Sequence, residues 1–141
     1  MGLRYQNSIM KRPIGLDSPM DQLQAASSAY SLEAIKKLMN HPAFDMSNPN
    51  IIRAVISTFA NANHIHFHDQ SGSGYNFLAD QVLKLDVLNP QVAARLLSPL
   101  TRWRKYNATR QAFMKAAISR ILQTESLSKD VYEIATKSLA Q

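Results

Sequence analysis

The chain has 141 residues, of which 45% are hydrophobic and 18% charged, and this composition is typical of a folded globular domain. Cysteine is absent, which excludes a disulfide framework, thiolate zinc ligands and a cysteine nucleophile. No apolar run approaches the roughly 20 residues that cross a bilayer, so no membrane partner is expected. The formal charge of +6 permits an acidic partner, and without an export signal we expect a cytoplasmic protein.

The first 16 residues differ from the rest of the sequence. They carry three basic residues and no acid, and they include Pro13 and Gly15, which interrupt regular structure. A basic, acid-free start also occurs in targeting presequences, but this one is short and poor in serine. We expect residues 1–16 to form a flexible leader and residues 17–141 to form a single helical domain.

Beyond the leader, apolar residues recur three or four positions apart, as in helices, and no stretch alternates as a strand does. Three helix starts share one pattern, because an Asn or Ser that can accept from free helix N–H groups precedes a proline at Ser18-Pro19, Asn48-Pro49 and Asn89-Pro90. Further starts are predicted at Ser31, Asn107 and Ser128. The predicted helices cover 18–29, 31–40, 49–61, 74–88, 90–104, 108–124 and 129–139. We therefore predict an all-α fold of about seven helices, in antiparallel hairpins stacked as an α-solenoid.

Three histidines alternate along the chain, at His64, His66 and His68. On an extended backbone, imidazoles at every second position would share one face and could chelate zinc. Here they fall in a predicted connection over residues 62–73, and we interpret them as loop histidines that make local hydrogen bonds. They are weak candidates for a metal site, and no cofactor is expected in this chain.

Two segments resemble ligand sites only in part. The glycine-rich residues 71–75 lack the Gly-Lys-Ser/Thr and the preceding strand of a phosphate-binding loop, so we interpret them as a turn that begins a helix. Residues 102–106 interleave cations with aromatic rings, a pattern that can bind nucleic acid by phosphate contacts and stacking. Because the helices lack a base-reading surface, nucleic acid is not the expected partner.

The sequence provides no catalytic centre. It contains neither a Gly-x-Ser-x-Gly elbow nor a His-Glu-x-x-His zinc helix. We therefore predict that the chain alone is not an enzyme.

Four blocks of sequence occur in one collinear order from His41 to the end of the chain. The first block is residues 41–50, and the second is Phe67-His68 together with 72–75. The third is residues 88–95, and the fourth is 102–106 together with Arg110-Gln111. Residues 127–140 complete the pattern. In this order the blocks resemble the C-terminal domain of aminopeptidase N, the zinc-dependent alanyl aminopeptidase of the bacterial and plant type. Ser71 stands where that family usually has an acid, and residues 17–40 lack a tryptophan often found there.

The resemblance implies an armadillo- or HEAT-like domain that caps a catalytic domain and encloses a chamber over its zinc. The zinc and the catalytic residues would then belong to the catalytic domain, which would be the partner of this chain. The block over 88–95 would face the chamber, so Asn89, Gln91 and Arg95 become candidates for contact with peptide substrate. Gln91 and Arg95 are four residues apart, which places them on one face of a helix.

Two other functions fit the sequence. One is a free-standing helical-repeat adaptor that binds a protein or peptide, and the other is a small basic module that binds nucleic acid.

Overall fold

The computed structural model describes residues 19–42 and 44–140, so the predicted leader and the start at Ser18 lie outside the described residues. In these ranges all regular structure is helical and no strand is present, which confirms the all-α prediction. The helical segments are α1 Pro19–Ser27, α2 Leu32–Met39, α3 Pro49–Ile52, a π-helical turn Arg53–Ser57, α4 Thr58–Ala62, α5 His64–Phe67, α6 Ser73–Leu88, α7 Pro90–Leu96, a 3-10 segment Ser98–Lys105, α8 Ala108–Leu122 and α9 Lys129–Ala140. They pack as two units, one carrying α1 to α4 and the other α5 to α9.

The helix starts predicted from side-chain caps are confirmed wherever the structure describes them. Ser31 Oγ accepts from the backbone N–H of Ala34 at 3.3 Å, and Asn48 Oδ1 accepts from that of Asn50 at 2.9 Å. The same caps occur at Asn107 and Ser128, with distances of 2.9 and 3.2 Å. Each cap satisfies an N–H group that the helix itself leaves without an acceptor.

Buried polar contacts fix the end of α1 in the first unit. Ser27 Oγ donates to the carbonyl of Val55 in the π-helical turn at 2.6 Å. Asn63 is 3% exposed, and its Nδ2 donates to the carbonyls of Ser27 at 3.1 Å and Tyr30 at 2.7 Å. The two bonds from Asn63 satisfy one carbonyl at the end of α1 and one just after it.

Helix α6 provides much of the core of the second unit. Tyr75, Leu78, Val82 and Leu85 are almost fully buried along it. Their spacing of three or four residues forms one continuous apolar stripe. This helix packs on α7 and α8, while α9 packs on the same two helices.

Two predicted boundaries differ from the structure. The connection predicted over residues 62–73 contains the one-turn helix α5, which carries His64 and His66 and is followed directly by His68. The single helix predicted over 90–104 is divided, because α7 ends at Leu96 and a 3-10 segment with a non-helical Arg102 follows. Pro99 explains the division, since proline has no backbone N–H for an α-helical bond and its ring crowds the preceding turn.

Candidate functional site

Asn89 lies between α6 and α7 and caps the start of α7. Its Oδ1 accepts from the backbone N–H of Val92 at 3.3 Å, which caps α7. Gln91 and Arg95 are both exposed on that helix. Neither side chain makes a hydrogen bond or an ion pair with the residues that the structure describes. The corner therefore presents an amide and a guanidinium that are free to meet a ligand.

Two large apolar side chains lie at the same corner. Val87 is 86% exposed and Leu88 is 60% exposed, directly before Asn89. Sequence analysis missed them, because Leu88 continues the apolar spacing of the buried Leu85 and reads as a core residue. Leu88 is the last residue of α6, and α7 begins at Pro90.

The short helix α5 and the turn that follows it place the three histidines in different positions. His64 and His68 are four residues apart and their rings stack at 5.9 Å, whereas His66 lies between them in sequence and takes no part in that stack. His68 is 9% exposed, and its Nδ1 lies 2.7 Å from the hydroxyl of Tyr75. Across residues 19–42 and 44–140, no three His, Asp or Glu side chains converge as metal ligands do.

His68 is the centre of a buried polar cluster. The ring of Tyr106 stacks on it at 4.3 Å, and Arg110 Nε donates to its backbone carbonyl at 2.8 Å. Burial, with smaller effects of the positive charges of His64 and Arg110, lowers the pKa of His68 to about 4. Burial likewise raises the pKa of Tyr75 to about 12. Both groups are therefore neutral near pH 7, and the cluster joins residues that are distant in sequence.

The glycine-rich segment forms a tight turn at the start of α6. Asp69 accepts from the hydroxyl of Ser71 at 2.6 Å and from its backbone N–H at 3.1 Å, and these bonds lower the pKa of the Asp69 carboxyl. Gly72 has a φ of 77°, and a Cβ on Gly74 would overlap the backbone carbonyl of Phe67. The glycines thus permit a left-handed residue and a close backbone contact.

The basic segment surrounds a buried tryptophan. Trp103 is 7% exposed and its Nε1 donates to the carbonyl of Ser138 at 3.3 Å. The guanidinium carbon of Arg104 lies 4.1 Å from the centroid of its ring, and Lys115 Nζ lies 4.9 Å from it. With Tyr106 stacked on His68, both aromatic rings of this segment are engaged within the fold.

Among the residues that the structure describes, no helix combines the length and the apolar character needed to cross a bilayer.

Comparison with known families and proteins identifies the fold. Residues 9–140 match a family described as a domain of unknown function with ARM repeats (DUF3458_C), and this match begins within the segment predicted as a leader. A solved structure of Legionella pneumophila aminopeptidase A in complex with aspartic acid is 37% identical, with a TM-score of 0.80. That likeness covers 86% of this chain and 14% of the Legionella chain.

Curated relatives share the aminopeptidase name. The chain is 50% identical over 109 residues to Aminopeptidase N of Caulobacter vibrioides and 48% identical over 119 residues to that of Escherichia coli. The alignments cover 77% and 84% of this chain but 13% and 14% of the relatives, so the chain spans a small part of their length. They confirm the resemblance to the C-terminal region of aminopeptidase N. The chain belongs to the DUF3458_C family of helical ARM-repeat domains.

Proposed function

We propose that this chain is the non-catalytic C-terminal domain of a zinc-dependent aminopeptidase, where it caps the active-site chamber and helps to orient or gate the peptide substrate. The identity to Aminopeptidase N relatives, of which the chain covers 12 to 14%, supports a role as one part of a larger peptidase. The rest of such an enzyme would supply the zinc and the reacting groups, and it would be the partner of this domain.

The observation that carries the proposal is the exposed, unengaged pair of polar side chains at the corner between α6 and α7. Arg95 presents a guanidinium, which can donate two parallel hydrogen bonds to a carboxylate or one to a peptide carbonyl. Gln91, one helical turn earlier, can donate to or accept from a peptide backbone. Asn89 fixes the start of α7 and thereby the direction of both side chains.

The histidines do not fit a zinc site of their own. His68 Nδ1 is engaged with Tyr75, and its ring is buried between Tyr106 and its neighbours. Zinc sites usually need three or four converging ligands, and no such group occurs in the described ranges. In our proposal the zinc is therefore held outside this chain.

A chimeric enzyme tests the proposal. This chain replaces the aligned region of Escherichia coli Aminopeptidase N, and Arg95→Ala is compared with its parent on alanine p-nitroanilide and on an alanine-headed tetrapeptide. Loss of a charge-assisted hydrogen bond to the peptide should raise the KM for the tetrapeptide roughly tenfold. The anilide contains a single residue and in our proposal makes no contact with Arg95, so its kcat/KM should change less than about twofold.

Lys36→Ala provides the matched control, because Lys36 is an exposed cation on α2. It should leave both substrates unchanged. An unchanged KM for the tetrapeptide in Arg95→Ala, or an equal loss on both substrates, would contradict a role of this corner in peptide binding.

A further inference from the structure

Positive charge is concentrated in one part of the sequence. Residues 87–124 contain seven Lys and Arg residues and no Asp or Glu. Within the second unit, Arg110 donates to the carbonyl of His68 and Arg120 pairs with Asp80 at 2.9 Å. The others include the cations around Trp103.

Two exposed cations from different helical segments contact this tryptophan. Arg104 and Lys115 both lie over its ring, so their charges are no farther apart than the sum of the two ring distances. We call Arg104 and Lys115 the basic surface.

No acid of the described chain neutralises this surface. The ion pairs Arg120 with Asp80 and Lys129 with Glu133 do not involve Arg104 or Lys115. Contact with the indole stabilises each cation, but like charges held close together repel one another. An anionic partner would remove this repulsion and would find a guanidinium and an ammonium already positioned.

The rings around the basic surface narrow the chemistry of the partner. Single-stranded nucleic acid binds through exposed aromatic faces on which bases stack. Here Trp103 is buried beneath its cations and one face of Tyr106 is covered by the ring of His68, so the two rings do not form a pair of open faces on which bases could stack. Carboxylates need no stacking platform, and they pair with a guanidinium or an ammonium.

We propose that the basic surface binds a carboxylate-rich segment of the larger aminopeptidase polypeptide. This inference rests on the proposed function, because the relatives carry more than six times the length of chain covered here. A segment on the same polypeptide has a high effective concentration, so modest contacts suffice to hold it.

Trp103 provides a direct readout, since it is the single tryptophan of the chain. Titration of the purified chain with octaglutamate should change its emission saturably at low salt, and the change should weaken as salt rises. The double variant Arg104→Gln/Lys115→Gln should bind at least about fivefold more weakly. The variant Arg104→Lys keeps the charge and loses the planar guanidinium, so its affinity for octaglutamate should lie between those of the parent and the double variant.

The double variant Lys36→Gln/Lys37→Gln is the control for net charge, because it removes two exposed cations from α2 in the other unit. It should weaken binding less than about twofold. The inference is wrong if octaglutamate leaves the emission unchanged, if both double variants lose binding equally, or if oligothymidylate of equal charge binds more tightly than octaglutamate.

Lysine acetylation in the chimeric enzyme tests whether the segment belongs to the same polypeptide. Lys115 should react with acetic anhydride at least about tenfold more slowly in the chimera than in the isolated chain, while Lys36 reacts equally in both. Equal reactivity of Lys115 in both would overturn the inference. The effect of Arg95→Ala on the tetrapeptide KM is measured independently, so failure of one proposal is distinguishable from failure of the other.

Discussion

At the scale of single residues, His68 is a base that the fold keeps neutral. Its ring is 9% exposed, bonded to Tyr75 and stacked on Tyr106. Burial and the nearby charges of His64 and Arg110 lower its pKa from 6.5 to about 4. The alternation of three histidines predicted only local hydrogen bonds. It could not indicate every partner of His68, because those partners come from segments up to 42 residues away.

This lowered pKa predicts an acid-sensitive free energy of unfolding. Between pH 6.5 and about 4 the unfolded chain binds a proton at His68 that the folded chain does not, so stability falls as pH falls through that window. The full difference corresponds to about 3 kcal/mol at most. Urea unfolding at pH 7, 5.5 and 4.5 should show the loss.

The variant His68→Gln separates this effect from other titrations. Glutamine can still bond to Tyr75 but does not titrate, so the slope between pH 6.5 and 4 should flatten. Hydrogen bonds from Ser47 and Ser71 lower the pKa values of the Asp45 and Asp69 carboxyls, so the effect of these carboxyls on stability appears at lower pH. An equal slope in His68→Gln and the parent would assign the acid sensitivity elsewhere.

At the scale of elements, local chemistry predicted where helices begin better than where they divide. The caps at Ser31, Asn48, Asn89 and Asn107 are each set by one side chain and the two or three residues after it. The π-helical turn at Arg53–Ser57 has no such local signal, and in the structure Ser27 of α1 bonds to a carbonyl within it. At the candidate site, sequence indicated Asn89, Gln91 and Arg95, but the exposed apolar pair beside them required the structure.

The turn before α6 gives a prediction at this scale. In Gly74→Ala the new methyl group would overlap the backbone carbonyl of Phe67, and no side-chain rotation can relieve a contact with backbone. The backbone must shift, which should lower the free energy of unfolding by about 2 kcal/mol or more. Chemical denaturation of the two proteins measures the difference.

Ser73→Ala is the neighbouring control, since Ser73 is exposed and its hydroxyl bonds only to the nearby Ser71 among the contacts described. It should change stability by less than about 0.5 kcal/mol. If Gly74→Ala were as stable as Ser73→Ala, the close approach of α6 to Phe67 would not constrain the residue.

At the scale of the whole molecule, the family match covers most of this chain, whereas the chain covers only a small part of its relatives. The ARM-repeat match covers residues 9–140, yet the alignments reach 14% or less of the curated relatives. The all-helical fold could be predicted from apolar spacing, because that pattern recurs through the chain. An active site that is assembled from several parts of a long polypeptide has no comparable repeating pattern in the sequence of one part.

We expect the purified chain to show no turnover of alanine p-nitroanilide and to bind less than one equivalent of zinc. The physical reason is that His68 is engaged with Tyr75 and no set of three metal ligands converges in the described ranges. Elemental analysis after dialysis and a continuous anilide assay provide the measurements. Stoichiometric zinc together with hydrolysis would overturn the proposal of a non-catalytic domain.

Asn89 is the single residue between α6 and α7, and it is hydrogen-bonded to both helices. Its N–H donates to Leu85 in α6 at 2.7 Å, its carbonyl accepts from Ala93 in α7 at 3.0 Å, and its side chain caps Val92. A residue inserted here would have to be accommodated by unwinding the end of α6 or the start of α7. Each residue of an α-helix turns the chain by about 100°. For protein engineering, an epitope tag or reporter peptide therefore belongs at the exposed Thr124 and Glu125, between α8 and α9, and not at this joint.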